Sequence, residues 1–228
     1  MQSQSKWNKA LREQWDKNAV SWDEQSVKRW ENGSRKDIIP FFMEHLSTKS
    51  RVADIGCGSG YSSFKLFKEG YDVIATDISD EMIHIAKEKI GNEIPFYQAD
   101  ICNLTPIKNS ELDGALVINV IEWTETPIIA LRELKRTIKP GGLLCIGILG
   151  PTAGPRAYSF HRLYGEKVIM NTMMPWEFFH MARDNDWELV DDFGVYKKEV
   201  NESHLNKISF TLKQALSFMW VFMLKNNK

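Results

Sequence analysis

The sequence lacks the features that mark several protein classes. Its three cysteines lie far apart and form no CxxC pair, so neither a disulfide framework nor a cysteine zinc site is indicated. None of the five histidines lies at a metal-binding spacing, and we expect no metal. The 29 basic and 30 acidic residues nearly cancel, which argues against a strongly cationic nucleic-acid binder.

Long apolar runs are missing as well. The N-terminus is polar and has no apolar core of the kind found in secretory signals. No apolar run reaches the roughly 18 residues that a membrane span needs, and the longest candidate, residues 215–224, is about half that length. We therefore predict a cytoplasmic protein without a membrane span.

Apolar residues are nevertheless abundant enough to form a large core. Of the 228 residues, 43% are hydrophobic and 11% are aromatic, a composition that excludes intrinsic disorder. A chain of this length buries roughly 70–75% of its unfolded surface on folding. It needs no disulfide or metal to be stable.

From residue 51 onward, short apolar runs alternate with amphipathic helical patterns, which indicates βα units. We predict an α/β fold of the Rossmann-like, doubly wound type, with a mostly parallel seven-stranded sheet, helices on both faces and a helical N-terminal cap. The predicted strands are residues 51–55, 71–76, 94–98, 112–118, 143–149, 187–197 and 216–224. The last of these runs fits a helix equally well on periodicity. The predicted helices after residue 50 are residues 61–69, 80–90, 127–138, 158–170 and 175–184.

Two segments are expected to cover the sheet. We predict a cap over residues 1–34 and a main domain over 35–228, with an insertion at about 150–175 that forms a second cap. Tryptophans stand at positions 7, 15, 22 and 30, within roughly 140° of arc on an ideal helix. This stripe either packs the first cap onto the sheet or brings Trp22 or Trp30 over a ligand.

The segment VADIGCGSG, residues 52–60, is the most informative motif. A strand is followed by three alternating glycines, which permit a sharp turn and a close approach of a ligand to the backbone. The following helix would point unpaired N–H groups at that ligand. In an open α/β sheet this position lies at the carboxyl ends of the strands, where ligands bind.

The residues after the glycines indicate the kind of ligand. A dinucleotide fingerprint requires a glycine where Tyr61 stands, and no GK[ST] phosphate loop is present. Asp77 ends the second predicted strand, where a carboxylate can accept both hydroxyls of a ribose. Together these residues indicate a nucleoside without a pyrophosphate.

Five motifs in order carry a family resemblance: VADIGCGSG, ATDIS, QADI, NVIEWTE and IKPGG. With them the chain resembles the class I S-adenosylmethionine (SAM)-dependent methyltransferases. The nearest branch is the type 11-like, small-molecule branch that includes quinone-biosynthesis methyltransferases. The resemblance covers roughly residues 35–149.

The resemblance implies SAM as cofactor, S-adenosylhomocysteine (SAH) as product, and a set of cofactor-binding positions. Gly56, Cys57, Gly58 and Gly60 would form the loop under the methionine part, with Cys57 contributing only its backbone. Asp54 would orient that loop or the ammonium group, although Asp54 and Asp100 have the less favoured alternative of only capping or pinning a loop. The remaining implied contacts are Asp77 to the ribose, Ile78 and Met82 near the adenine, Asp100 and Ile101 at the adenine amino group and ring, and Asn119 and Val120 under the cofactor.

Two further positions come with alternatives. Arg35 could pair with the methionine carboxylate or be a solvated surface residue. Trp22 could close over SAM or only pack. Trp123 departs from the histidine that relatives often carry in an N-V-L-E-H-V pattern, which puts histidine chemistry there in doubt. No catalytic residue is assigned, although His161, with Tyr158 and Tyr164 in the second cap, is the candidate base.

We predict methyl transfer to a small molecule by in-line displacement, which needs a base only when the acceptor is protonated. DNA is not expected as a partner, and NPPY-type signatures are absent. A tRNA or rRNA methyltransferase, a SAM-binding protein without catalysis, and an NAD-dependent oxidoreductase remain as alternatives, the last disfavoured by Tyr61. The oligomeric state is left open.

Overall fold

The structure, a computed structural model, describes residues 6–227. The strands are β1 (Arg51–Ile55), β2 (Asp72–Asp77), β3 (Phe96–Gln98), β4 (Leu112–Ile118), β5 (Ile138–Leu149), β6 (Trp187–Tyr196) and β7 (Ser217–Asn226). The helices are α1 (Lys6–Glu31), α2 (Ile38–His45), α3 (Tyr61–Lys68), α4 (Asp80–Ile90), α5 (Pro127–Thr137), α6 (Gly154–Ala157), α7 (Pro175–Arg183) and α8 (Phe210–Leu216). Short 3₁₀ segments occupy Ile121–Trp123, Tyr158–Tyr164 and Glu202–Lys207.

The seven strands form one sheet in the order β3-β2-β1-β4-β5-β7-β6. Strands β1 to β5 run parallel, and β7 lies antiparallel between β5 and β6. The predicted fold class is therefore confirmed. The strand order reverses between β1 and β4, whose carboxyl ends flank the crevice where ligands bind in such sheets.

Each central strand feeds two cores, because successive side chains point to opposite faces of a sheet. In β4, Ala115 and Val117 join one buried cluster, whereas Leu116 and Ile118 join the other. Helices α5 and α7 contribute to the first cluster, and α2, α3 and α4 contribute to the second. A strand buried on both faces reads as a continuous apolar run, which explains why its bounds match the prediction.

Helix α1 crosses the carboxyl edge of the sheet and contacts α3 and α4. Its helical character is as predicted, and a run of turns follows its end at Glu31. Residues 1–5 of the predicted cap lie outside the described residues. The division of the chain at residue 34 stays a prediction. Within residues 6–227, no helix is long and apolar enough to cross a membrane.

Three local predictions need correction or refinement. The helix predicted over 158–170 is wrong beyond Tyr164, because Gly165 takes a left-handed φ of 81° and ends the 3₁₀ turn. The turn predicted at 139–142 lies inside β5, as a bulge between the pairings of Ile138 and Leu143. The ambiguous run at 216–224 is the strand β7, which starts at Ser217 after the short helix α8.

Candidate functional site

A cavity of about 650 Å³ opens at the carboxyl ends of the parallel strands. Its floor is formed by the loops after β1, β2 and β4, α1 lies across it, and residues 149–170 close one side. Of the fourteen positions predicted to bind the cofactor, thirteen line this cavity: Trp22, Arg35, Asp54, Gly56, Cys57, Gly58, Asp77, Ile78, Met82, Asp100, Ile101, Asn119 and Val120.

Gly60 is the predicted position that does not line the cavity. It precedes the first residue of α3 with a left-handed φ of 84°. A Cβ there would lie 2.8 Å from Ile90 and 3.0 Å from Ala86, both on α4. Gly60 therefore packs the loop against α4, and its place in the cofactor site stays a prediction.

The glycine loop is held rigid from below. The backbone N–H groups of Gly56 and Cys57 both donate to the carbonyl of Thr76, at 2.7 and 3.0 Å. Gly56 and Gly58 take φ values of 74° and 56°, a left-handed conformation that glycine adopts without strain. Burial raises the pKa of the Cys57 thiol well above its usual range, so this side chain stays neutral and only its backbone is available.

Asp54 pins the start of the loop and also lines the cavity. Its Oδ2 accepts hydrogen bonds from the hydroxyls of Ser62 and Ser63 at 2.7 and 2.6 Å. Burial raises the pKa of this carboxyl. Both roles considered for Asp54 are compatible with this position.

The carboxylate of Asp77 faces the cavity with both oxygens fixed. Its Oδ2 accepts from the N–H of Gly58 at 2.8 Å, and its Oδ1 accepts from the N–H of Ser79 at 2.9 Å. Burial is the largest cause that raises its pKa to about 6. Each oxygen retains a lone pair for a further donor, so the group can receive two vicinal hydroxyls.

Asp100 is the second carboxylate at the cavity edge, after β3. Its Oδ1 accepts from the N–H of Cys102 at 2.9 Å, and its Oδ2 accepts from the side chain of Asn8 at 2.5 Å. Buried Ile101 lies beside it on the cavity wall. Ile78 and Met82 line the same cavity. A flat ring bound against these apolar side chains could donate a hydrogen bond to the Asp100 carboxylate.

Asn119, directly after β4, has an uncommon backbone conformation and contacts the buried cation Arg35. Asn119 has a φ of 59°, which is uncommon outside glycine and clusters at functional sites. Arg35 is 8% exposed and donates to Oδ1 of Asn119 over a long 3.4 Å. Burial lowers the pKa of Arg35 to about 10, so the guanidinium is charged at neutral pH.

Within the described residues, Arg35 forms no ion pair. Its charge is instead placed between aromatic faces, with Cζ 5.0 Å from the Trp22 ring and 5.5 Å from the Trp30 ring. A buried cation of this kind favours an anionic partner. The alternative of a solvated surface arginine is excluded by its burial.

The tryptophan stripe of α1 faces the cavity, as one of its two interpretations predicted. Trp15, Trp22 and Trp30 line it, and the Trp15 ring meets the rings of Trp22 and Trp123 edge-on, each at 5.3 Å. Trp7 instead donates its indole N–H to the carbonyl of Trp123 at 2.7 Å. The stripe therefore both anchors α1 and supplies an aromatic wall.

The side of the cavity away from Asp77 and Asp100 is apolar and aromatic. It is formed by Trp123, Leu149, Tyr158, Val168, Met170 and Phe218. The insertion predicted at about 150–175 thus supplies cavity residues. His161, the candidate base, does not line the cavity and lies 3.2 Å from Glu166 instead.

Sequence reasoning missed several lining residues. Arg29, Leu149 and Phe218 carry no motif, and only the fold brings them to the site. Trp15 was visible as a member of the stripe, and Trp123 as a departure from a motif. Among the described residues, no group of three or more side chains could hold a metal ion.

Comparisons with known proteins agree with this geometry. Residues 53–146 match a family model described as a methyltransferase domain. The ubiquinone biosynthesis O-methyltransferase of Haemophilus ducreyi is 25% identical over 92% of this chain and 98% of its own length. A solved SAM-dependent methyltransferase from Methanosarcina mazei superposes with a TM-score of 0.63 at 19% identity, covering 82% of this chain and 96% of that chain.

Other relatives match only in part. The bifunctional biotin biosynthesis protein BioHC of Cellvibrio japonicus is 29% identical over 63% of this chain. This chain spans only 28% of the length of that protein.

Proposed function

The chain belongs to the class I SAM-dependent methyltransferases, and we propose that it transfers the methyl group of SAM to a small-molecule acceptor. One observation carries this proposal. A single cavity joins the glycine loop, the buried carboxylate of Asp77, the half-buried carboxylate of Asp100, and an apolar aromatic extension. The first three match the polar groups of a nucleoside, and the extension leaves room for a second molecule.

The residues present fit SAM group by group. Asp77 would receive the ribose hydroxyls, and Asp100 would receive the adenine amino group beside Ile101. The charged Arg35 would pair with the methionine carboxylate, and Asp54 would face the ammonium side. Gly58 has no side chain, which allows Trp22 to pack directly on the loop, since a Cβ there would lie 3.0 Å from the Trp22 indole.

SAM, when bound, supplies a methyl group attached to a sulfonium, and the neutral thioether SAH is an excellent leaving group. The contribution of this chain is then to bind, orient and shield. Fixed carboxylates and a rigid loop hold the cofactor in one position, which converts a bimolecular reaction into an oriented one and can supply several kcal/mol. Helix α1 and the aromatic wall would shield the bound cofactor from solvent.

The lining of the extension indicates the character of the acceptor. Leu149, Met170 and Phe218 offer apolar contact, while Trp123 and Tyr158 offer flat aromatic faces. These side chains favour a partly apolar molecule with a planar or acyl portion. The relative from Haemophilus ducreyi bears the name of an O-methyltransferase of ubiquinone biosynthesis, which supports a small-molecule acceptor here as well.

The proposal is tested by measuring SAH release from SAM with a panel of candidate acceptors. The panel contains aromatic hydroxyl compounds, apolar carboxylic acids and bulk tRNA, and Asp77→Ala serves as the negative control. We expect SAH release with at least one small molecule and none with the variant. SAH release with tRNA alone would contradict the small-molecule assignment. Tight SAM binding with no SAH release in the presence of any acceptor would favour a non-catalytic binding protein.

A further inference from the structure

The carboxylate assigned to the ribose is held by a chain of hydrogen bonds that begins on α1. The hydroxyl of Ser79 donates to Oδ1 of Asp16 at 2.5 Å. The backbone N–H of the same Ser79 donates to Oδ1 of Asp77 at 2.9 Å. Gly58 completes the chain by donating its N–H to Oδ2 of Asp77 at 2.8 Å. A residue on α1 is therefore connected to the glycine loop through Ser79 and Asp77.

Asp16 itself does not line the cavity, so its effect on the ligand would pass through the residues that it binds, and Ser79 is the one of these that contacts Asp77. The N–H of Glu81 also points to Oδ1 of Asp16, at a longer 3.4 Å. These bonds place the Asp16 carboxylate at the N-terminus of α4, where a negative charge is favoured by the helix dipole. Asp16 therefore binds both the side chain of Ser79 and the first turn of α4.

Polar contacts carry much of the attachment of α1. Only four of its 26 residues are buried: Leu11, Ala19, Ser26 and Trp30. Three ion pairs also hold it to the neighbouring helices: Asp23 to Lys89 at 2.5 Å, Glu31 to Lys65 at 2.7 Å and Arg12 to Asp80 at 3.9 Å. None of the residues in these pairs donates a hydrogen bond to Asp77.

Asp100, the carboxylate assigned to the adenine amino group, is also bound by a residue of α1. The side chain of Asn8, also on α1, donates to Oδ2 of Asp100 at 2.5 Å. Both carboxylates assigned to SAM are therefore connected to α1, one through Ser79 and one directly. These two connections indicate that the position of α1 and the orientations of the Asp77 and Asp100 carboxylates depend on each other.

We propose that Asp16 is a positioning residue for the ribose of SAM, acting through Ser79 on Asp77. By fixing Ser79, it holds the Asp77 carboxylate with one lone pair on each oxygen directed at the ribose hydroxyls. This inference rests on the proposed function, because it assigns a role toward the same ligand. It also makes α1 part of the cofactor site rather than only its cover.

Removal of Asp16 leaves the fold intact for a specific reason. The Oγ of Ser79 still accepts the N–H of Met82 at 3.1 Å, so α4 keeps its N-cap. Asp23 provides a matched control, because it is an acidic residue of the same helix whose partner is a surface lysine. Asp16→Ala, Asp16→Asn and Asp23→Ala can therefore be compared directly.

The test measures Kd by calorimetry for two ligands, SAH and its 2′,3′-dideoxy analogue. We expect Asp16→Ala to weaken SAH binding about tenfold, the size of one hydrogen bond from a ribose hydroxyl to the charged Asp77 carboxylate, and to change binding of the dideoxy analogue less than twofold. Asp16→Asn keeps an acceptor oxygen for Ser79 and should recover most of the affinity. Asp23→Ala should leave both values unchanged.

Two results overturn the inference while leaving the proposed function standing. One is an equal loss of affinity for SAH and for the dideoxy analogue in Asp16→Ala, which would mean that Asp16 only holds α1 in place. The other is an equal loss in Asp23→Ala, or no loss in any variant, while the wild type binds SAH. Failure of the wild type to bind SAH would instead overturn the proposed function and the inference together.

Discussion

The indole Nε1 of Trp22 lies 3.0 Å from the point that a Cβ at Gly58 would occupy. Helix α1 thus comes into contact with the glycine loop at the position where its backbone N–H binds Asp77. Gly58 is required for two separate reasons, since its φ is 56° and the space above it is occupied.

The first prediction concerns this contact. Gly58→Ala should destabilise the fold by about 1–2 kcal/mol through its left-handed backbone and should weaken SAH binding more than tenfold through displacement of Trp22. Urea unfolding and calorimetry measure the two effects. Gly91→Ala is the matched control, because Gly91 also has a positive φ of 77° but nothing within 4 Å of its Cβ position. A loss of affinity in the control equal to that in Gly58→Ala would contradict this account.

The second prediction concerns the pH dependence of ligand binding. The pKa of Asp77 is raised from 3.8 to about 6 by burial, and only the ionised form can accept two ribose hydroxyls. Affinity for SAH should be constant above about pH 7 and should fall about tenfold per pH unit below 6. In Asp77→Asn the affinity should be low and should show no step near pH 6. A wild-type profile that stays flat from pH 5 to 8 would contradict the role of Asp77.

The stability of the unbound protein should change in the opposite direction over the same range. Because the folded pKa of Asp77 lies above the unfolded value of 3.8, this group contributes stability that is fully present below pH 3.8 and is lost as pH rises through about 6. Asp77→Asn removes that contribution to the pH dependence. Chemical unfolding of both proteins between pH 4 and 7 should show a steeper decline in the wild type.

The third prediction concerns the buried cation. Arg35→Ala should weaken SAH binding roughly tenfold to a hundredfold, because the charged guanidinium would lose its pair with the methionine carboxylate. An SAH analogue that lacks the carboxylate should bind both proteins alike. Exposed Lys36 offers a neighbouring control, and Lys36→Ala should have no effect. Equal losses for both ligands in Arg35→Ala would show that Arg35 acts only on the fold.

The fourth prediction concerns the segment that closes the cavity. Buried Arg156 donates to the carbonyls of Leu149, Gly150 and Met173, so it joins the end of β5 to the residues before α7. Arg156→Ala would remove this donor from the three carbonyls, of which Gly150 keeps a second donor in the N–H of Ala153, and should cost about 2–4 kcal/mol. The exposed Arg162, whose side chain donates to Ser159, is the control, and Arg162→Ala should cost under about 1 kcal/mol. Equal unfolding midpoints for the two variants would contradict the assignment.

The elements predicted most accurately from the sequence are those that depend on neighbouring residues alone. Strand β4 is buried on both faces, so its apolar run identified it to the residue. Ser79 and Gly91 begin and end α4 as expected from their capping chemistry. The glycine loop and Asp77 were found because their spacing reflects the geometry of one βα unit.

Contacts between distant parts of the chain were not predictable in this way. Asp16 and Ser79 are 63 residues apart, and no local pattern connects them. Gly60 was assigned to the cofactor loop because it belongs to the motif, whereas its close approach to Ile90 depends on how that loop lies against α4. The segment at 158–170 has an amphipathic pattern, but Gly165 ends the turn that the pattern suggests.

The central claim is that the cavity binds a SAM-type nucleoside, and calorimetric titration of the wild-type protein with SAM, SAH, NAD and NADP tests it most directly. The account predicts micromolar binding of SAM and SAH, strongly weakened by Asp77→Ala, and no binding of the two nicotinamide nucleotides. Binding of NAD or NADP with no binding of SAM or SAH, or SAH affinity unchanged in Asp77→Ala, would contradict it.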